Sequence, residues 1–167
     1  LIKAERGPSY NECRRNLGTK KEIRVARIVK LEKSGDASVL RMVDEPMGEL
    51  EAGEIRIRVE AIGLNRAEVL FRQGLYLEKP IFPARIGYEA AGVVDAIGPS
   101  VTGFKIGDKV STIPSFPMSK YGVYGEYATV PATAVAHYPD NLTVEEAAAI
   151  WMQYLTAYGA LIEIGKV

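Results

Sequence analysis

From Glu54 to Ile62 the chain alternates apolar and charged residues: Ile55, Ile57 and Val59 share one face of an extended segment, while Arg56, Arg58 and Glu60 share the other. Successive Cβ atoms of a strand point to opposite sides, so this period of two specifies a strand with one face in a core. The texture on either side is similar, with short β-like runs punctuated by glycine and proline. Ala26-Arg27-Ile28-Val29-Lys30-Leu31 precedes the turn Ser34-Gly35-Asp36, and Val39-Leu40-Arg41-Met42-Val43 runs out toward Pro46 and Gly48. Further strands are expected over Ala90–Gly98, after Gly107-Asp108, over Tyr124–Val130 and over Ala134–Tyr138. Short strands at even spacing predict a mainly β fold with a few helices, in the form of a small barrel or partly open sandwich.

Two stretches switch to helical character. Asn65 is a suitable N-cap, Glu68 stands at the capping-box position three residues on, and Gly74 is a natural stop, which predicts a helix over 66–73. Thr143-Val144-Glu145-Glu146 is a second capping box, and Ala147-Ala148-Ala149-Ile150-Trp151-Met152 opens a long alanine-rich helical pattern. Another helical stretch, at 155–164, follows or continues it.

Composition narrows the class of partner. Lys plus Arg and Asp plus Glu balance at 21 each, so no overall charge favours nucleic acid. No apolar run reaches the ~18 residues that span a bilayer. A soluble, cytoplasmic protein with neither nucleic acid nor membrane as partner is therefore expected. The balance hides a basic segment at 1–24, with seven basic residues against three acids, no apolar periodicity and the single cysteine, Cys13. It reads as a flexible or non-native tail, with a targeting peptide or a nucleic-acid-binding arm as the alternatives. One cysteine permits neither an internal disulfide nor a cysteine-based zinc cluster.

The order of motifs resembles the medium-chain dehydrogenase/reductase superfamily. The resemblance rests on Gly87-Tyr88-Glu89-Ala90-Ala91-Gly92-Val93-Val94, Ile97-Gly98, Val101-Thr102-Gly103-Phe104 and Gly107-Asp108-Lys109-Val110. Gly63-Leu64-Asn65-Arg66-Ala67-Glu68 and Gln153-Tyr154-Leu155-Thr156-Ala157-Tyr158 extend it at both ends. It implies a GroES-like partly open β-barrel, with C-terminal helices leading to a Rossmann domain outside this sequence. The organisation is then a tail at 1–24, a GroES-like catalytic domain at 25–145 and a helical connection at 146–167. The glycines near Tyr124 lack the strand–turn–helix setting of a dinucleotide fingerprint, so this chain alone is expected to bind nucleotide weakly.

Within that superfamily the chain is similar to the zinc-free, quinone oxidoreductase-like branch. The zinc branch keeps a cysteine at the position matching Asn65 and a histidine at that matching Tyr88, and neither residue present suits zinc. The resemblance implies hydride transfer from NADPH or NADH to a quinone, enone or carbonyl substrate, without zinc, in a homodimeric full-length protein. Tyr88 is the candidate catalytic donor to the substrate oxygen, against a packing role in which its phenol bonds to a backbone carbonyl. Asn65, Thr156 and Gln153 are the candidate cofactor contacts. Asn65 also caps its helix, and Thr156 has the alternative of bonding back one turn. Tyr76, Phe116 and Tyr121 are expected to line the substrate cleft, the last two joining Met118 and Tyr124 in a mobile apolar lip. Glu89 reads as a structural ion pair with Arg66 or Arg85, Arg56 and Arg58 as a solvated face, and His137 as uninvolved. A non-catalytic GroES-like binding module and a zinc-dependent alcohol dehydrogenase are the competing readings.

Overall fold

The computed structural model describes residues 24–167, so the expected tail, including Cys13, lies outside the described residues except for Arg24. Among the described residues, eight strands form two antiparallel sheets that do not close on each other. Strands β1 (Val25–Leu31), β2 (Leu40–Pro46) and the two-residue β4 (Ala84–Arg85) make a small sheet in the order β2-β1-β4. Strands β3 (Glu54–Gly63), β5 (Glu89–Ile97), β6 (Lys109–Thr112), β7 (Tyr127–Pro131) and β8 (Val135–His137) make the larger one, in the order β7-β3-β5-β6-β8. The expected partly open β-barrel is thus present as two sheets facing a shared core. The bridge of Ile28 to Gly125, with bonds from the Val29 N–H to the Tyr124 carbonyl and from the Glu126 N–H to the Arg27 carbonyl, stitches one sheet to the other.

The alternation in β3 does what the pattern dictates. Ile55 and Ile57 are fully buried beside Leu31, Val94, Val110 and Val130, while Arg58 and Glu60 face water. Arg56 departs from the expected solvated face: its guanidinium is mostly covered and bonds Asp95 at 2.8 Å and the Gly48 carbonyl at 3.0 Å. Arg24 joins it on Asp95. Asp95 is partly buried, which opposes its charge, but the two guanidiniums prevail and hold its carboxyl below the usual carboxylate range. In the small sheet Glu45 of β2 reaches both Lys30 of β1 and Arg85 of β4, so one carboxylate ties all three strands.

Helix α1 (Arg66–Arg72) starts at Asn65 as expected and buries Phe71 completely. It closes at Gly74, which has φ +72° and donates to the Phe71 carbonyl, while Leu75 donates to the Leu70 carbonyl. Helix α2 (Met118–Tyr121) follows Pro117, which offers no side-chain cap. Glu78, from the distant loop after α1, supplies one by accepting the Met118 and Ser119 N–H groups at 2.9 and 3.1 Å.

The long alanine-rich helix expected from residue 147 is instead broken. Helix α3 (Val144–Ala147) lasts one turn, residues 148–150 turn, and helix α4 (Trp151–Tyr158) then runs into a π-helix, Gly159–Ile164. The alanines serve close approach rather than helix length. Ala147 and Ala148 pack with Ala91 and Ala61 against the large sheet, and the Ala148 carbonyl lies where a Cβ on Gly63 would stand 2.3 Å away. Two substitutions separate that constraint from ordinary glycine flexibility. Gly63→Ala is expected to cost about 1–3 kcal/mol, because backbone must move to admit the methyl. Gly159→Ala meets nothing within 4 Å and has helical backbone angles, so it should stabilise by about 0.4–1 kcal/mol. Removing the remote cap with Glu78→Ala should cost about 1–2 kcal/mol. Urea denaturation of the three variants measures all of these.

Candidate functional site

The side chains expected to meet substrate and cofactor fall in two clusters. The first is a run of aromatic rings. Tyr76 lies 6.3 Å from Tyr88, Tyr88 lies 5.6 Å from Phe116, and Phe116 lies 6.3 Å from Tyr121, all centroid to centroid and all tilted or edge-on. These are favourable aromatic geometries. Tyr76 comes from the loop after α1, Tyr88 from just before β5, Phe116 from the loop after β6 and Tyr121 from α2, and the fold brings them into one row. Phe116 and Met118 are buried in the core, which corrects their assignment to a mobile apolar lip. Tyr76 and Tyr121, at the ends of the row, remain partly open to solvent.

The Tyr88 phenol donates to Glu78 Oε2 at 3.3 Å, so its partner is a carboxylate and not a backbone carbonyl. Burial, together with the charge of Glu78, raises its pKa well above the usual tyrosine value. The Tyr88 hydroxyl is therefore a hydrogen-bond donor that keeps its proton at any physiological pH. Sequence reasoning missed Glu78: it stands in a loop of mixed composition, and only the tertiary fold brings α2 and the Tyr88 ring to it.

The second cluster surrounds Asn65. Its backbone N–H donates to Glu68 Oε2 at 2.8 Å, and its side chain faces the Glu68 N–H, completing the predicted capping box. The other Glu68 oxygen accepts the Tyr88 N–H at 3.1 Å. Asn65 Nδ2 donates to Glu89 Oε2 at 2.7 Å, and Glu89 Oε1 accepts the Met152 N–H at 2.8 Å. This corrects the expected ion pair: Glu89 is held by an amide and a helix N–H, while Arg85 pairs with Glu45. Burial raises the Glu68 pKa against the bonds that favour its charge. Burial and the nearby carboxylates of Glu68 and Glu89 push up the Tyr124 phenol, which donates to the Gly63 carbonyl at 3.0 Å.

Thr156 lies one turn beyond Met152 and donates to the Met152 carbonyl at 2.6 Å, the back-bonded geometry of a helical threonine. Its oxygen keeps lone pairs, and both Thr156 and Gln153 are exposed. Asn65, Glu89, Met152 and Thr156 thus form a single connected series. The remaining face of α4 is apolar and open: Trp151, Tyr154, Tyr158, Leu161 and Ile162 line a groove of about 400 Å³. The Trp151 indole N–H donates to Ser111 Oγ at 2.9 Å, anchoring the helix start to β6. His137, given no role from sequence, stacks on Phe104 and meets Asp108 at 3.0 Å on the far edge of the sheet.

The donor set can be tested against the two groups such a site could hold. Tetrahedral zinc takes thiolate and imidazole, with carboxylate as a further ligand. At the two relevant positions stand an amide whose nitrogen faces Glu89 and a phenol that faces Glu78. Among the described residues no three His, Cys, Asp or Glu side chains converge to hold a metal. The residues do not fit zinc. The amides of Asn65 and Gln153 and the Thr156 hydroxyl are neutral donors and acceptors, which fits the sugar and carboxamide part of a dinucleotide.

Comparison with known proteins agrees with this architecture. The family described as "Alcohol dehydrogenase GroES-like domain" matches residues 51–140. The chain is 37% identical over 140 residues to the mouse (Mus musculus) synaptic vesicle membrane protein VAT-1 homolog-like, covering 84% of this chain and 32% of that protein. The crystal structure of the human VAT-1 homolog-like protein superposes with a TM-score of 0.78 at 35% identity, over 86% of this chain and 45% of that one. Escherichia coli quinone oxidoreductase, solved in complex with NADPH, superposes with a TM-score of 0.71 at 30% identity, over 81% of this chain and 40% of that one. The chain spans about a third of the length of the curated relatives it matches. On the match over 51–140, the chain belongs to the alcohol dehydrogenase GroES-like domain family, in the quinone oxidoreductase-like branch of the medium-chain dehydrogenase/reductases.

Proposed function

We propose that this domain is the substrate side of an NAD(P)H-dependent reductase that acts on a quinone or activated alkene without zinc. The observation that carries the reading is the adjacency of two sets: the aromatic row that contains the Tyr88 phenol, and the Asn65–Thr156 series linked through Glu89. Glu68 joins them, because it accepts from Asn65 and Tyr88 at once. Reduced nicotinamide, when bound, supplies the hydride.

The chain's own residues supply orientation and a hydrogen bond. Asn65, Thr156 and Gln153 contact the nicotinamide end of the nucleotide, and Tyr76 and Tyr121 border the planar acceptor, with Phe116 packed behind them. Tyr88 donates to the acceptor oxygen as negative charge develops there, exchanging its bond to Glu78 for one to substrate. Its raised pKa suits that role: the proton is shared and not lost. A quinone or enone is already electrophilic, so a phenol can suffice where a simple carbonyl needs a Lewis acid. The open apolar face of α4 is where a nucleotide-binding domain packs in this reading. The shared branch and the NADPH complex of the Escherichia coli relative support it. Cytoplasmic location, a homodimeric full-length protein and the absence of nucleic-acid or membrane partners belong to the same proposal.

The test is oxidation of NADPH and NADH by the full-length protein with small quinones and enones, with and without a zinc chelator. Chelator-resistant turnover of a quinone or enone is expected. Asn65→Ala should weaken binding of the reduced nucleotide roughly 2- to 10-fold, the range for one neutral hydrogen bond. Alcohol oxidation that the chelator abolishes would overturn the metal-free reading. Absence of both nucleotide binding and turnover would favour a non-catalytic binding module.

A further inference from the structure

We infer that Glu89 is a positioning residue for the nucleotide: it holds the Asn65 amide with its nitrogen inward, so that the amide oxygen is the atom a bound dinucleotide meets. The inference rests on the placing of Asn65 and Thr156 at the nucleotide proposed above.

Glu89 opens the central strand β5 and is 1% exposed. A carboxylate at that depth is costly unless its oxygens are satisfied. Its hydrogen bonds come from two neutral donors, Asn65 Nδ2 and the Met152 N–H. The space it occupies is kept by the facing residue of β3, because a Cβ on Gly63 would lie 2.8 Å from Glu89 Oε2. The other ionisable groups facing this cluster are Glu68, held by the Asn65 and Tyr88 N–H groups, and Tyr124, whose phenol is on the Gly63 carbonyl.

An ionised carboxylate only accepts hydrogen bonds. The Asn65 atom facing it must therefore be the nitrogen, and the amide cannot flip without setting oxygen against oxygen. That fixes the Asn65 oxygen on the opposite side, where it faces the Glu68 N–H and has a lone pair left for a ligand. An acceptor there selects a donor, such as a ribose hydroxyl or the N–H of the nicotinamide carboxamide. The same carboxylate takes the second N–H of α4, a helix whose N-cap, Ile150, has no capping side chain. Glu89 thus sets the amide and, through Met152, the start of the helix that carries Thr156.

Three variants of the full-length protein test this, with NADPH binding followed by nucleotide fluorescence and by steady-state kinetics. In Glu89→Gln a single carbonyl must serve two donors, so NADPH Kd and KM should rise roughly 10-fold while kcat at saturating nucleotide stays within about twofold. In Asn65→Asp two carboxylates meet in a buried site and bind well only while they share a proton, so NADPH binding should weaken as pH rises. In the double variant the new amide at position 89 donates to the new carboxylate at position 65, while its oxygen keeps the Met152 N–H. Binding should then return to within about threefold of wild type and lose its pH dependence. Rescue of this kind, together with a rise in Kd and KM at nearly unchanged kcat, supports a positioning role, because a general loss of structure would lower kcat as well. Glu89→Gln at wild-type affinity, or a double variant no better than Glu89→Gln, overturns the inference. Should Glu89→Gln fail to fold, pH-independent NADPH binding by Asn65→Asp overturns it instead. Wild-type protein that binds no NADPH would overturn the functional reading itself, a result distinct from any pattern among the variants.

Discussion

The carboxylate of Glu89 ties the large sheet, to which it belongs, to the N-cap of α1 and the first turn of α4. Much of the local sequence is what that group requires. Gly63 leaves room for its oxygens and for the Ala148 carbonyl, Ala147 and Ala148 let the chain pass close over β3 and β5, and Asn65 supplies an N–H without a charge. A guanidinium in place of the amide would satisfy the carboxylate as well, but it would bring a long side chain and a net positive group into a narrow, buried space. The neutral donors keep the carboxylate bonded while leaving the surroundings small.

Glu78 plays a comparable part at the other cluster. The loop after α1 and the segment carrying α2 meet through hydrogen bonds at Glu78, and Leu77 beside it is almost fully exposed. What holds them is one carboxylate that accepts two helix N–H groups and a phenol, reinforced by the Ser119 hydroxyl that accepts the Ile81 N–H. A contact made of hydrogen bonds can be exchanged for others of similar strength when a ligand arrives, since little apolar surface must be exposed in the process. A dry apolar contact offers no such exchange. The Tyr88 hydroxyl sits at that exchangeable end, while its ring stays fixed between Tyr76 and Phe116.

The parts of the molecule legible in the sequence are those governed by local rules. The alternation in β3, the Asn65–Glu68 box and the stop at Gly74 each follow from dihedral preference and side-chain period, and each appears where those rules place it. The superfamily followed from the order of several glycine motifs, which mark either a close approach of the backbone, as at Gly92, or a left-handed turn, as at Gly107. What could not be read were partners set by tertiary contact. Glu89 had two arginines within plausible reach in sequence terms, and a buried acid ordinarily finds a cation; nothing local revealed that an amide and a helix N–H would take both oxygens. The alanine run from 147 looked like helix propensity, whereas its small side chains answer a need for close approach to Gly63. Arg56 looked solvated by alternation, yet Asp95 on the neighbouring strand covers it.

The chemistry of the two clusters also bears on how labour is divided in such a protein. Binding a dinucleotide by its phosphates calls for a glycine-rich turn at a helix N-terminus or for cations. Asn65, Gln153 and Thr156 are themselves neutral, so these side chains can orient the ring end of the nucleotide but offer little for its charged end. The acceptor side has the same character, with aromatic edges and the Tyr88 phenol, which keeps its proton. Such a surface contributes geometry more than affinity: it is selective for how a ligand lies and weak in how strongly it holds it. Tight binding must then come from contacts elsewhere. A network that fixes the Asn65 amide in advance matters most in that situation, because a weakly held group is oriented reliably only by a site that does not itself have to rearrange.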